Sequence, residues 1–567
     1  MEKEWRIKPL IKDKMLMQFP EYSPVVLQLL FNRGIIEKQE IIDFLEKDYD
    51  KLHDPFLFSE MDKSVDLIIK HIKKGSKICV YGDYDADGVT ASAALIETLN
   101  TLRAKADVYI PDRVSEGYGM NKTAIKKIID GGVKLIITVD NGIRNKKEVE
   151  YIKSKNVDVI ITDHHPTDED NGDIPDTLVI DGALEKEKYP FKKLAGVAVA
   201  FKVAKAIISK SKLDDDDKVS LEERLLDLVA VGTIADLVIL LGENRILVKR
   251  GLEVINNTNR TGLKELIKVA KIYNNTVEAW NIGFQIAPRL NAAGRMAHAN
   301  DAYKLLVTKD KKEAKKLALR LNNRNIERQN VTEEIVDEVD KMLEADKEDI
   351  LIGVCQGDKA WNEGVVGLVA GRITEKYYKP TLVITKTDEG YKGSGRSIKG
   401  FNLALAVEEC KDLLMKYGGH PMACGFSLKE DNLEKFVKKL KDIAKRELGD
   451  KKNRPILDIE YEIDIKDIDE ALVKEIELFS PFGQGNQKPK FLSKNVIIKD
   501  IMTMGNESQH IKFRFNGFWG LAFGKAKEWE DYKIGDSLSI VYYIEKNEFN
   551  GRSEIQFKLV DIKARNA

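Results

Sequence analysis

A chain of 567 residues is too long for one ordinary domain, and its 43% hydrophobic and 33% charged residues exclude a disordered or fibrous protein. A formal net charge of −1 excludes a globally basic nucleic-acid binder, so a polyanionic partner would need positive charge gathered in one groove. Four scattered cysteines without a CxxC pair exclude a disulfide framework and a zinc–cysteine site; Cys79 and Cys355 read as small buried hydrophobes.

Residues 1–54 predict a helical lead-in. No apolar run has signal-peptide or membrane-spanning length, which predicts a cytoplasmic protein without a membrane partner. Between about 76 and 240, Lys77–Tyr81, Val133–Val139 and Val157–Thr162 are near-continuous apolar strands separated by helical stretches, the signature of a parallel α/β sheet. Sites in such sheets form at the carboxyl ends of the strands. A fourth apolar run, closing on Gly232-Thr233-Ile234-Ala235-Asp236, reads as another strand end. Asp214-Asp215-Asp216-Asp217 reads as a solvated surface loop. From 301 to 347 there is no glycine or proline, and apolar residues at helical spacing predict a long helical connector, with Asn322-Asn323-Arg324-Asn325 marking a break. A second α/β region covers 348–450 and closes on a polar linker around Asp450-Lys451-Lys452-Asn453. From 455 to 567 short alternating runs predict a small β-barrel. Thirteen of the last 87 residues are aromatic, about 15% against 8% for the chain, which suits stacking of bases.

The chemistry concentrates at strand ends. Asp83-Tyr84-Asp85-Ala86-Asp87-Gly88 directly follows the first strand. Extended backbone would turn its three carboxylates to one face, where only a cation could offset their repulsion. An EF-hand loop is excluded: its twelfth position falls on Leu95, where a bidentate Glu is needed. Asp140-Asn141-Gly142 and Asp163-His164-His165 end the next two strands, and Asp236 ends the fourth run. Carboxylates and imidazoles converging on one sheet edge form an oxygen/nitrogen site suited to two divalent ions, manganese or magnesium, acting on a phosphodiester.

Together these motifs resemble those of the DHH phosphoesterase family, and the downstream segments resemble its single-strand exonuclease branch. The resemblance covers about residues 55–567. It implies a multi-domain α/β protein: a parallel-sheet DHH domain (55–300), a long connecting helix (301–347), an α/β DHH-associated domain (348–450) and a C-terminal OB-type β-barrel (455–567). It implies Asp85, Asp87, Asp140, His164 and Asp236 as metal ligands, with Asp140 as a bridging candidate and Asp83 and Asp163 ligating or supporting. His165 would face the scissile phosphate, with Asp140 and Asp163 as its catalytic companions. Ala287–Arg295 would bring Arg289, Asn291 and Arg295 to the substrate path. Lys392-Gly393-Ser394-Gly395-Arg396-Ser397, read as an anion-binding turn with exposed amides, and Gly418-Gly419-His420 would hold a terminal phosphate through Ser394, Arg396, Gly419 and His420.

Two positions depart from the family pattern. Tyr81 stands where pyrophosphatase-type members have a ligand histidine, and Asn362-Glu363 stands where His-Pro is usual. The implied activity is 5′→3′ single-stranded-DNA-specific hydrolysis to mononucleotides in DNA repair and recombination, with a single-strand-binding protein and a helicase as implied partners. The alternatives are a DHH phosphodiesterase of short oligonucleotides or cyclic dinucleotides, and a metal-free DHH-fold scaffold protein.

Overall fold

The protein is described from a computed structural model, which covers residues 2–564 apart from 47–48, 168–171, 173, 273–275, 345–347, 357–359, 450–452 and 550–551. The chain divides into two compact units. One holds Asp54–Asp236 and Gly251–Arg454; the other holds Met1–His53, Leu237–Arg250 and Pro455–Ala567.

The larger unit begins with a five-stranded, all-parallel sheet in the order Lys105–Tyr109, Lys77–Tyr81, Val133–Thr138, Asp158–Thr162, Leu178–Ile180. Its three central strands are the three apolar runs of the sequence, buried on both faces by helices, which is why they carry no alternation. The fourth run is different. Leu225–Ile234 belongs to a helix, Asp215–Ala235, and Asp236 is its C-cap. A helix buried on all sides near its end loses its 3.6-residue pattern, so it reads like a buried strand. The four aspartates before it form the cap and first turn of the same helix: Asp214 accepts from the Asp217 amide, and negative charge there suits the helix dipole. They are exposed, but they are not a loop.

The connector is a single helix, Lys311–Leu343, with no break at Asn322–Asn325. Asparagine costs a helix only about 0.7 kcal/mol, and here the polar string makes side-chain contacts: Asn322 accepts from Arg289, and Asn325 is buried. Ile335 and Val339 of this helix pack on Leu351, Val369 and Val383 of the second α/β region. That region is a five-stranded sheet ordered Lys416–His420, Ala423–Leu428, Gly390–Arg396, Thr381–Thr387, Leu351–Val354. Only the last pair is parallel. The helix Leu433–Leu448 supplies Phe436 and Leu440 to the same core as Leu382, Ile384 and Phe426. Asp450–Lys452 of the polar linker lie outside the described residues.

The smaller unit is built on a closed barrel. Phe491–Met504, His510–Phe515, Phe518–Ala522, Arg552–Ala564 and Ser537–Phe549 pair in that order, and the last returns to the first. Phe513, Phe515 and Tyr542 are fully buried inside it, each contributing about 1.5–3 kcal/mol of burial; Tyr543 is partly exposed, and the Phe549 side chain lies outside the described ones. The N-terminal segment is not only helical. Glu4–Ile7 is a strand that pairs in parallel with Ile456–Ile459, and the helix Pro24–Phe31 adds Leu27 and Leu30 to the barrel's core. Among the described residues no helix is long and apolar enough to cross a membrane.

Candidate active site

The aspartate triplet does not stay on one extended face. Asp83 lies in the turn after Lys77–Tyr81. Asp85 is the N-cap of the helix Ala86–Thr101, its Oδ1 accepting from the Asp87 and Gly88 amides at 3.0 Å each. Asp87 sits in the first helical turn, and both its oxygens accept from the amides that open the helix Gly196–Ser209, Gly196 and Val197, at 2.8 Å. The turn therefore divides the triplet. Asp83 and Asp85 converge with Asp140, while Asp87 converges with His164 and Asp236; within each group the ligand atoms lie within 4.8 Å of one another. His164 Nε2 is 3.0 Å from Asp140 Oδ1, 3.7 Å from Asp236 Oδ2 and 3.9 Å from Asp87 Oδ2, so Asp140 and His164 adjoin both groups.

Asp140 has a left-handed backbone, φ +63°, and Gly196 leaves it room. A Cβ on Gly196 would lie 2.5 Å from Asp140 Oδ1, and one on Gly88 would lie 2.5 Å from Asp83 Cβ. Asp163 is fully engaged elsewhere. Its oxygens accept from the His164, His165 and Ile143 amides, and Oδ1 lies 2.8 Å from His165 Nδ1. Despite burial, these bonds hold the Asp163 carboxyl below its usual range, so it stays ionised and can only accept. Nδ1 of His165 therefore carries the proton that faces Asp163. The Tyr118 hydroxyl, 3.0 Å from the same Nδ1, donates to the Asp140 carbonyl.

The donor atoms fit divalent metal. Asp83 Oδ1, Asp140 Oδ1 and His164 Nε2 are buried and make no hydrogen bond; the short His164–Asp140 approach lacks hydrogen-bond alignment. Hard oxygen donors with one imidazole suit manganese or magnesium. Burial, then repulsion from neighbouring carboxylates, pushes Asp83 and Asp140 well above the usual carboxylate range; the same causes, with Asp236 the strongest repelling charge, bring Asp87 to about 7. Without metal the folded site thus holds protons that the unfolded chain releases. Stability of the metal-free protein is expected to fall as pH rises from about 4 through about 7, because the unfolded state binds fewer protons in that window. Melting curves at about pH 5 and about pH 8 check it: manganese should raise Tm far more at the higher pH, where it need not displace protons. An equal gain at both would contradict these shifts.

Ala287–Arg295 forms part of a helix fastened to the aspartate turn. Asn291 Oδ1 accepts from the Ala86 amide at 2.8 Å, and a Cβ on Gly294 would lie 2.7 Å from the Tyr84 carbonyl. Asn291 thus positions the turn. Arg289 donates to Asn322 and to the Gln285 carbonyl, and Arg295 to the Gly364 carbonyl. Burial, then Arg113 and Arg328, lowers Arg295 to about 10, with Arg396 adding to the effect. None of Arg113, Arg289, Arg295, Arg328 and Arg396 has a carboxylate within ion-pair distance among the described residues, whereas Arg224, Arg260 and Arg324 each do. These arginines gather the positive charge that a polyanionic partner would need in a chain of near-neutral composition.

Gly390–Arg396 is a central strand and not a turn, so its amides are taken up by ladders on both sides. The row Arg396–Ala423–His420 nevertheless places Arg396 and His420 on one face, two strand spacings or about 10 Å apart. Ser394 and Arg396 lie under the start of the helix Val366–Tyr377. A Cβ on Gly367 would come 3.0 Å from Ser394 Oγ and 3.2 Å from an Arg396 nitrogen. Any amides for an anion would have to come from that helix start, because the strand's own are taken up by its neighbours. Gly419 is exposed beside His420 on the edge strand.

At the departures, Tyr81 is buried and donates to the Gly119 carbonyl, while Asn362 caps the Gly364 amide and Glu363 pairs with Lys392. Four neighbours of the site escaped the sequence. Asp181 follows Leu178–Ile180 with the same strand-end pattern and was legible; Arg113, Tyr118 and Arg328 carry no local signal. On the barrel, Lys512 and Arg514 stand 4.3 and 5.7 Å over the Trp519 ring, and Lys558 stands 5.8 Å over the exposed Phe523, a basic and aromatic face.

A parallel sheet ending in adjoining ligand groups, one of carboxylates and one joining carboxylates to an imidazole, followed by a sheet domain rich in glycine, defines a phosphoesterase of the DHH class. The chain matches the DHH family N-terminal domain over residues 77–233, the DHHA1 domain over 348–446 and the RecJ OB domain over 459–561. It is 38% identical to the single-stranded-DNA-specific exonuclease RecJ of Bacillus subtilis, over 98% of this chain and 70% of that protein. Crystal structures of RecJ from Thermus thermophilus in complex with Mn2+ and with Mg2+ superpose with TM-scores of 0.82 and 0.78, at 28% and 27% identity. Each match covers the whole of this chain, and 80% and 79% of those chains respectively. The chain belongs to the RecJ family.

Proposed function

We propose that the protein is a metal-dependent exonuclease specific for single-stranded DNA, acting 5′→3′, releasing mononucleotides, and serving repair and recombination in the cytoplasm. The observation that carries the hydrolytic reading is the pair of adjoining ligand groups with three buried, unpartnered donor atoms. Two divalent cations held by Asp83, Asp85, Asp87, Asp140, His164 and Asp236 would supply the charge that activates water and neutralises the leaving oxygen. The chain's own residues do the rest. Asp163 fixes the tautomer of His165, whose Nε2 is directed to the scissile phosphate. The amides of Gly196 and Val197 orient Asp87, and the capping bonds orient Asp85. Arg113, Arg289 and Arg295 neutralise backbone phosphates, and Trp519 with its cations offers a stacking face for bases without sequence readout. Docking to a single-strand-binding protein or a helicase rests on the family resemblance alone.

Polarity rests on Ser394, Arg396, Gly419 and His420, since metals alone serve either direction. A terminal phosphate carries more charge than a diester, so Arg396 favours a 5′-phosphorylated end. The test is one oligonucleotide labelled at either end, digested with manganese. Mononucleotide should appear first from the 5′ side, and Arg396→Ala should slow 5′-phosphorylated strands at least about tenfold more than 5′-hydroxyl strands. First products from the 3′ side would overturn the polarity; equal slowing would overturn the role of Arg396. Rapid cleavage of dinucleotides with none of long strands would favour the short-oligonucleotide phosphodiesterase.

A further inference from the structure

Outside the residues already assigned, Trp280 and Phe284 stand out. Their rings stack 5.3 Å apart at 24°, yet the residues are 57% and 68% exposed. Two large aromatic faces left in water forgo burial that the core would reward, and their contiguity as a stacked pair, unlike a singly exposed side chain, marks an interaction site. They sit on a short element of unusual geometry: Ala279–Asn281 runs into a single π-turn, Ile282–Ile286, and straight on into the helix Ala287–Met296. Such π-turns widen the helix locally and gather at functional sites. The turn packs on the last residues of the helix Asp215–Ala235, where a Cβ on Gly283 would lie 3.6 Å from Ile234, two residues before the candidate ligand Asp236. On its other side, Arg289 donates to the carbonyl of Gln285, the residue next to Phe284.

We propose that Trp280 and Phe284 form a base-stacking platform for the single strand, beside the arginine track and outside the metal site. The occupant is a nucleobase rather than a protein side chain, because Arg289, which has no carboxylate partner among the described residues, is hydrogen-bonded to the residue next to Phe284. An aromatic face adjoining a guanidinium repeats the base-then-phosphate alternation of a single strand, and every base has a π-face to stack. The platform rests on the reading of the protein as a single-strand nuclease and adds a subsite to it. It holds bases upstream of or past the reacting phosphate, so it acts on affinity and register and not on bond breaking.

The test is an abasic scan with the full chain, in the absence of divalent metal so that the strand stays intact. A labelled oligodeoxythymidylate carrying one abasic residue at successive positions is titrated with wild type, Phe284→Ala, Trp280→Ala and Phe284→Trp. Wild type should lose roughly tenfold in affinity when the abasic residue falls at one or two adjacent positions, the size of one stacked base. Phe284→Ala and Trp280→Ala should lose the same factor on the unmodified strand and show no further loss at those positions. Phe284→Trp should keep the wild-type profile, and the salt slope of binding should be the same in all four, since stacking releases no counterions. An abasic profile in Phe284→Ala that matches wild type, or a uniform loss at every position, would overturn the platform. Failure of the nuclease reading would look different: wild type itself would not hydrolyse the unmodified strand when manganese is restored.

Discussion

Asp140→Asn should lower hydrolysis of single-stranded DNA by at least about a thousandfold, equivalent to roughly 4 kcal/mol of barrier, while affinity for the strand stays within a few-fold. Asp140 is the carboxylate that adjoins both ligand groups, through Asp83 and Asp85 on one side and His164 on the other. Asparagine keeps its size and tolerates its left-handed backbone at φ +63°, so the loss would be one of charge and not of fold. A second effect of opposite sign should accompany it. Burial, then repulsion from Asp87, Asp85 and Asp83, raises the Asp140 carboxyl, so a neutral amide there should stabilise the metal-free protein at pH values where the wild-type carboxyl must ionise. Turnover with manganese, strand binding and a melting curve without metal check the three statements. Activity within about tenfold of wild type would show that Asp140 is not a shared ligand.

The parts of this site legible in the sequence were those written into single elements. Asp140 and Asp163 follow buried parallel strands, whose uninterrupted apolar runs announce both the strand and its end. Asp236 is legible although its element reads as a strand, because a buried helix and a buried strand are equally apolar and the terminal carboxylate stands out in either. The proposed anion turn is overturned as a turn: the glycines of Gly393–Gly395 read as loop residues, yet they let Phe426 and Leu403 pack closely against a central strand. What stayed illegible depends on packing between distant elements. Arg328 lies on the 33-residue connector helix and Arg113 follows the Lys105–Tyr109 edge strand, and only the fold brings either toward Arg295. The pairing of Glu4–Ile7 with Ile456–Ile459 spans most of the chain, and no local pattern encodes it.

Gly196 tests that lesson, for nothing in the run Leu194–Ala198 marks it as part of a catalytic centre. It opens the helix Gly196–Ser209 after Ala195, its amide donates to Asp87, and the space its missing side chain leaves is filled by the Asp140 carboxylate. Its backbone is not among the left-handed glycines, so alanine would meet no conformational penalty and should favour the helix by up to about 1 kcal/mol. The added methyl, however, would lie 2.5 Å from Asp140 Oδ1. Either Asp140 swings away, or the helix start retreats and takes with it the two amides that orient Asp87. Both routes move a ligand by about an ångström, a displacement that can cost on the order of 10²-fold in rate. Gly196→Ala is therefore expected to stay folded with Tm lowered by a few degrees at most, to lose about a hundredfold in turnover, and to need more manganese for half-maximal activity. Titrating manganese against turnover, with Tm measured in parallel, separates this from simple misfolding: full activity at ordinary manganese would mean that the Asp140–Gly196 contact does not position the metal site.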